Sequence, residues 1–192
     1  MDIIVKNYQS PNINEKEILR YAGMKESTPE ISKILKDCLA EINGKLNYDV
    51  CYLKTPITVS EDIDFKHFKV NSSALKKNLS GYTSAVVFVA TVGIEIDRLI
   101  KKYSVTSPVK ALLFQAIGAE RIESLCNAFC EDLKCEYKKV APRFSAGYGD
   151  FSLEYQSEIF KVLNPKKHIG VTLLESKLML PTKSVTAVVG II

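Results

Sequence analysis

Ala85-Val86-Val87-Phe88-Val89-Ala90 decides the fold. The run is apolar at every position and rich in β-branched residues, so neither face of a strand built from it can meet water. It reads as a buried central strand, covered on both sides. Toward the C-terminus Gly93 follows, and 94–103 resumes helical spacing. Ser107-Pro108, a hydroxyl and then proline at the first helical position, predicts the start of a helix. The pattern carries that helix to about Tyr137, roughly 45 Å at 1.5 Å per residue. Its apolar positions are Val109, Leu112, Leu113, Ala116 and Ile117, then Ile122, Leu125, Cys126, Phe129 and Leu133. Gly118, near the middle, marks either a bend or close packing. Toward the N-terminus, 72–79 predicts a short helix closed by Ser80-Gly81, and 50–59 a strand that Pro56 interrupts and places at a sheet edge. Phe65, Phe68 and Val70 lie in a stretch with no clear period.

The outer segments complete the pattern. Residues 2–8 read as a short strand, and Asn14 caps a short helix through Tyr21 that ends at Gly23. Thr28-Pro29 opens a longer helix whose Ile31, Ile34, Leu35, Cys38, Leu39, Ile42 and Leu46 share one face; Gly44 and Asn47 mark its fraying end. Pro142 breaks the long helix pattern, 143–152 is a loop, and 155–163 a helix stopped by Asn164-Pro165. Residues 170–174 and 184–192 read as strands, with Pro181 in the connection between them. Strands and helices alternate irregularly, which predicts an α+β fold rather than a regular parallel sheet. No internal repeat or flexible linker interrupts the chain. Residues 1–192 are expected to form a single domain, with a helical N-terminal part to about residue 47.

The chain has 192 residues, 46% of them hydrophobic and 25% charged, enough to build a core. Its net charge is +4, with Lys and Arg spread along the sequence rather than clustered with aromatics, which argues against a nucleic-acid surface. No apolar run approaches the roughly 18 residues of a membrane span. The opening MDIIVKNYQS is no secretory signal, and the five cysteines are an odd set, so a cytoplasmic protein with free thiols is expected. Cys126 and Cys130 share a helix face, but no second pair answers them, and the expected reading is buried helix cysteines without a metal.

No zinc-protease motif, P-loop, nucleophile elbow or dinucleotide fingerprint occurs, and His67 and His168 are the only histidines. The loop Arg143-Phe144-Ser145-Ala146-Gly147-Tyr148-Gly149 combines a fixed cation, small residues and an aromatic. Arginine clamps a carboxylate, small residues let backbone approach a ligand, and a tyrosine face holds a cation such as a sulfonium. An amino-acid-like ligand suits that set; the alternative is a glycine-rich turn whose arginine pairs with a carboxylate.

That loop resembles the Arg-x-x-x-Gly-Tyr signature of the activation domain of cobalamin-dependent methionine synthase. Gly170-Val171-Thr172-Leu173-Leu174-Glu175-Ser176 resembles the same family's Gly-x-x-Leu-x-Glu-Ser block, Met179, Pro181 and Ser184-Val185 continue it in register, and the distance from Tyr148 to Gly170 fits. The resemblance covers 143 to about 189; upstream, 118–122 resembles the family's long helix less specifically. It implies a mostly antiparallel, curved sheet covered by helices. It also implies S-adenosylmethionine as ligand and the cobalamin-binding module of methionine synthase as partner, the cobalamin being carried by that partner. Flavodoxin or another one-electron donor would supply the electron. Carried over, Arg143 would hold the methionine carboxylate, Ser145 and Ala146 would offer main-chain contacts, Gly147 would allow close approach, and Tyr148 would shape the site near the sulfonium. The family's long-helix glutamate falls at Ser124 or, with a slip of register, at Glu123. Where the family has a proline-containing stretch after its tyrosine, this chain has Gly149-Asp150-Phe151-Ser152, and the family's ligand-binding tyrosine beyond the last strand has no counterpart here. The implied function is reductive reactivation in trans, as an accessory part of a methyltransferase system. The competing readings are a non-catalytic interaction protein that protects or positions a corrinoid module without binding S-adenosylmethionine, and an unrelated small-molecule enzyme on a similar fold.

Overall fold

The computed structural model describes residues 2–192. Its elements are β1 (Ile4–Tyr8), α1 (Glu15–Tyr21), α2 (Pro29–Ile42), β2 (Tyr48–Pro56), β3 (Thr58–Val59), β4 (Ile63–Asp64), β5 (Lys69–Val70), α3 (Ser73–Asn78) and β6 (Ser84–Thr91). Then come α4 (Glu95–Thr106), α5 (Pro108–Glu136), a single 3-10 turn (Leu153–Tyr155), α6 (Gln156–Leu163), α7 (Pro165–Ile169), β7 (Thr172–Leu173), β8 (Met179–Leu180) and β9 (Ser184–Ile191). A four-stranded sheet in the order β1-β2-β6-β9 is antiparallel throughout. The short strands β3-β4-β5 form a second sheet, and β7-β8 a hairpin. This is an α+β fold with antiparallel sheets.

The central strand behaves as its composition requires. Val86, Phe88 and Ala90 of β6 join one core with Val50, Val189, Leu113, Ile117, Leu125 and Phe129, under α5. Ala85, Val87 and Val89 join a second core with Leu53, Phe65, Leu75, Phe151, Ile159 and Val188, on the far face. Period-two alternation with both faces covered leaves no polar position between Ser84 and Thr91, the strand's two ends. Phe129 meets Phe88 edge-on at 4.9 Å. Truncating such a ring to alanine costs about 3–5 kcal/mol.

The predicted caps hold at Asn14, whose side chain accepts from the Glu17 N–H, and at Thr28, which accepts from Ile31. Ser107 differs: its side chain makes no capping bond, and α5 begins on proline alone. Val109 and Leu112 also differ, being exposed, because the first turns of α5 bury Ala111, Leu113 and Phe114 instead, with Phe114 stacked on Tyr103 of α4 at 5.5 Å. The strand expected at an edge is an inner one: β2 lies between β1 and β6, and Pro56, its last residue, sits opposite Ser84 where the ladder ends. The unassigned stretch becomes β4 and β5, with Phe65 and Phe68 stacked at 4.8 Å. Asn164 does end α6, in a left-handed conformation, but Pro165 then starts α7.

Of the helix cysteines, Cys126 is buried, Cys130 half-buried and Cys135 exposed; all five in the chain are free thiols. No helix among the described residues is long and apolar enough to cross a membrane.

Candidate functional site: a cleft at the sheet edge

After α5 the chain returns along the outer side of β9. Ala141 donates to the Gly190 carbonyl at 2.8 Å, and Phe144 and Val188 exchange both backbone bonds at 2.9 Å. Phe144 thereby packs toward Phe151 in the second core. Its neighbour Arg143 takes the opposite face, where α5 presents Glu123 and, one turn on, Cys126. At Ser145 the chain leaves the sheet and turns back, with the Gly147 N–H donating to the Phe151 carbonyl at 2.7 Å. The departure opens a cleft of about 460 Å³ lined by Arg143, Phe144, Ser145, Ala146 and Tyr148 of the loop, Glu123 of α5, Gln156 of α6, Met179 of β8, and Ser184, Val185 and Thr186 of β9. That volume suits a small-molecule ligand.

Five of the six residues singled out from sequence line this cleft: Arg143, Ser145, Ala146, Tyr148 and Glu123. Gly147 is not among them; its N–H closes the turn, and its φ of +96° is what requires glycine. Tyr148 stands at the rim, 67% exposed. Glu123, rather than Ser124, is the long-helix residue at the cleft. Ser124 bonds instead to Glu120 at 2.8 Å.

Arg143 is half-buried and paired with Glu123 through Nη2. Its Nη1 is buried without a partner. Burial works against the guanidinium charge, the Glu123 carboxylate works for it, and the balance is upward. Burial pushes the Cys126 thiol up to about 12, so it stays neutral beside the arginine. The Arg143–Glu123 pair also forms the wall to a polar side cavity of about 220 Å³, lined by Asn14, Glu17, Tyr21, Glu120, Ser124 and Asn127 besides the pair itself. A guanidinium beside a carboxylate in the wall of one cleft matches the two ends of a zwitterion, carboxylate to Arg143 and ammonium to Glu123.

Sequence reasoning missed Gln156, Met179, Ser184, Val185 and Thr186. Gln156 carried a signal: it sits on the apolar face of α6 with Ile159 and Leu163, and all three are buried. Thr186 carried another, as a polar residue within a strand whose later positions are all apolar.

Fold and cleft together define an α+β protein with an antiparallel sheet, helices on its faces, and a ligand-sized cleft at the open sheet edge. No protein-family model matches the sequence, and no curated protein matches it. A solved structure does: the crystal structure of the MetH reactivation domain bound to AdoHcy, with a TM-score of 0.74 over 99% of this chain and 78% of that chain, at 16% sequence identity. The chain has the fold of the MetH reactivation domain.

Proposed function

We propose that this chain binds S-adenosylmethionine in the Arg143 cleft and docks on the cobalamin module of a methionine synthase, restoring methylcobalamin after oxidation. The observation that carries the reading is the Arg143–Glu123 pair in the wall of a ligand-sized cleft. The likeness to a reactivation domain that holds AdoHcy supports it. Arg143 takes the carboxylate of the ligand's methionine part, Glu123 its ammonium, and the exposed ring of Tyr148 the sulfonium side of the opening. The methyl-accepting cobalt belongs to the partner's cobalamin, and the electron to flavodoxin or a similar donor; this chain holds and orients the sulfonium. Leu174, Leu178 and Leu180 of the β7–β8 hairpin are exposed and suit a protein contact.

Calorimetric titration with S-adenosylmethionine tests the reading. Arg143→Ala should weaken binding by about 1.5–3 kcal/mol, roughly ten- to hundredfold. A second reading, docking on a corrinoid module without S-adenosylmethionine, is favoured by one observation: Glu123 already engages Arg143. Wild-type protein that binds a cobalamin module but no S-adenosylmethionine would select it. Binding of neither defeats both.

A further inference from the structure

A second cavity, of about 310 Å³, lies among the end of β1, the start of β2 and the end of α2, and it shares no lining residue with the Arg143 cleft. Tyr8 of β1 and Tyr48 of β2 are partners across the ladder. Directly paired residues put their side chains on the same face of a sheet, so the two rings stand side by side as one wall. Their hydroxyls are engaged, Tyr8 with the Asp132 carboxylate at 2.5 Å and Tyr48 with the Ser10 hydroxyl at 3.2 Å, which leaves the ring bodies to the cavity. Leu39 and Ile42 of α2, and Leu46 beyond it, bring aliphatic side chains to the same space. Aromatic and aliphatic walls around an enclosed volume of this size suit a small apolar ring.

The charge of the lining narrows the class. Arg121 is the one charged residue among the described residues that line the cavity. Its guanidinium is already used: it bonds to Glu120 at 2.5 and 2.6 Å and to the carbonyls of Pro11 and Asn12. A ligand carboxylate finds no free cation here, and a ligand ammonium meets the arginine with no carboxylate in the lining to answer it. Stripping water from either charge without a partner is costly. The exposed side-chain amides of Gln9 and Asn43, which also line the cavity, have no partner among the described residues. They remain open to one neutral polar substituent.

We propose that this cavity is a second ligand site, for a small uncharged aromatic molecule of the phenol class. Its ring lies against Tyr8 and Tyr48, and its polar substituent meets Gln9 and Asn43. The site stands independently of the S-adenosylmethionine reading, since neither uses the other's residues.

The probe is p-cresol, titrated into the full chain while the methyl resonances of Leu39, Ile42 and Leu46 are followed. 4-Hydroxybenzoate is the charged counterpart of similar size. The expected result is saturable shifts of those methyls with a Kd of about 0.1–1 mM, and binding of 4-hydroxybenzoate at least tenfold weaker. Leu39→Trp fills the space from a half-buried position on α2, and Leu46→Phe fills it from a second one. Each should weaken p-cresol at least tenfold, with circular dichroism checking that the variant folds. Arg143→Ala, which lies outside this cavity, should leave p-cresol binding as in wild type. Absence of saturable shifts at the three methyls, or shifts that fall at the Arg143 cleft instead, overturns the site. So does a p-cresol affinity that survives both filling substitutions. Equal affinity for 4-hydroxybenzoate overturns the uncharged class. The wild-type shifts locate the ligand by themselves, so a variant that fails to fold leaves the test standing. Failure to bind S-adenosylmethionine counts against the other site alone.

Discussion

Asp150 holds the 143–149 loop in place. Its Oδ1 accepts from the Ser72 hydroxyl at 2.5 Å and the Ala74 N–H at 3.1 Å, and its Oδ2 from the Ser73 N–H at 2.7 Å. The loop is thus fastened to the first turn of α3, and Phe151 beside it is buried in the second core. In sequence, Gly149-Asp150-Phe151 was legible only as a departure from a motif. Its role depends on α3, some 75 positions earlier, which no local pattern reveals. The hydrogen bonds from Ser72, Ala74 and Ser73 hold the Asp150 carboxyl below its usual value. A folded-state value below the unfolded one gives stability that is present above the unfolded value, about 3.9, and lost as pH falls through the folded one. Asp150→Asn should therefore unfold earlier than wild type at pH 7, and the gap should close below about pH 4. Thermal unfolding across that range checks it, and a gap that persists in acid would show that the carboxylate charge is not what fastens the loop. The thiols give a second prediction. Burial pushes Cys51 and Cys126 up to about 12 and Cys38 to about 11, whereas Cys135 is exposed. Iodoacetamide should label Cys135 first and leave these three buried thiols unmodified until the protein unfolds, as mass spectrometry would record.

At the scale of elements, what the sequence made legible followed period and caps. The continuous β6 run, the α2 face and the extent of α5 needed only local pattern. The place of β2 did not, since a proline in a strand looks the same at an edge as at the end of an inner strand until the pairing is known. The cleft was legible in its loop, through Arg143 and Tyr148, but not in its β9 wall, because an unpaired strand edge is a property of what fails to lie beside it. Gly118 left two readings open, and packing resolves them. A Cβ there would come within 2.8 Å of Ile96 Cγ2 in α4 and of Lys183 Cγ and Cε before β9. Lys183 is itself engaged with Gln115 at 2.5 Å. Gly118→Ala should gain up to about 1 kcal/mol in helix propensity and lose about 1–3 kcal/mol to overpacking. The expected net is a loss of about 1 kcal/mol, or a Tm lower by about 2–4 °C. A raised Tm would mean that the α4–α5 seam yields freely, and that glycine is there for another reason.

For the whole molecule, the open question is whether the N-terminal part and the cleft-bearing part unfold together. The main core joins Ile18, Leu35, Cys38 and Ile42 of the first helices to Phe88, Leu125 and Val189 of the sheet and α5. A buried charge network reinforces the join. Arg121 of α5, fully buried, bonds to Glu120 at 2.5 and 2.6 Å and donates to the carbonyls of Pro11 at 2.6 Å and Asn12 at 2.8 Å. Glu120 in turn accepts from the Asn14 N–H at 3.1 Å, beside the cap of α1. The segment leading into α1 is therefore held by α5, the same helix that places Glu123 at the cleft. We propose that residues 1–192 are one cooperative unit for this reason. Arg121→Met leaves Glu120 buried without its cation, which should cost about 3–5 kcal/mol, and Glu120→Leu with Arg121→Met together should cost less than Arg121→Met alone. In one cooperative unit, urea unfolding followed by far-UV circular dichroism and by tyrosine fluorescence should give a single coincident transition in every variant, shifted as a whole to lower urea in Arg121→Met. If the N-terminal part is instead a separate unit, Arg121→Met should release it first. An early step in helical signal would then precede the main transition, which would stay at its wild-type midpoint. That outcome would divide the chain near residue 47 and leave the cleft standing on the remainder alone.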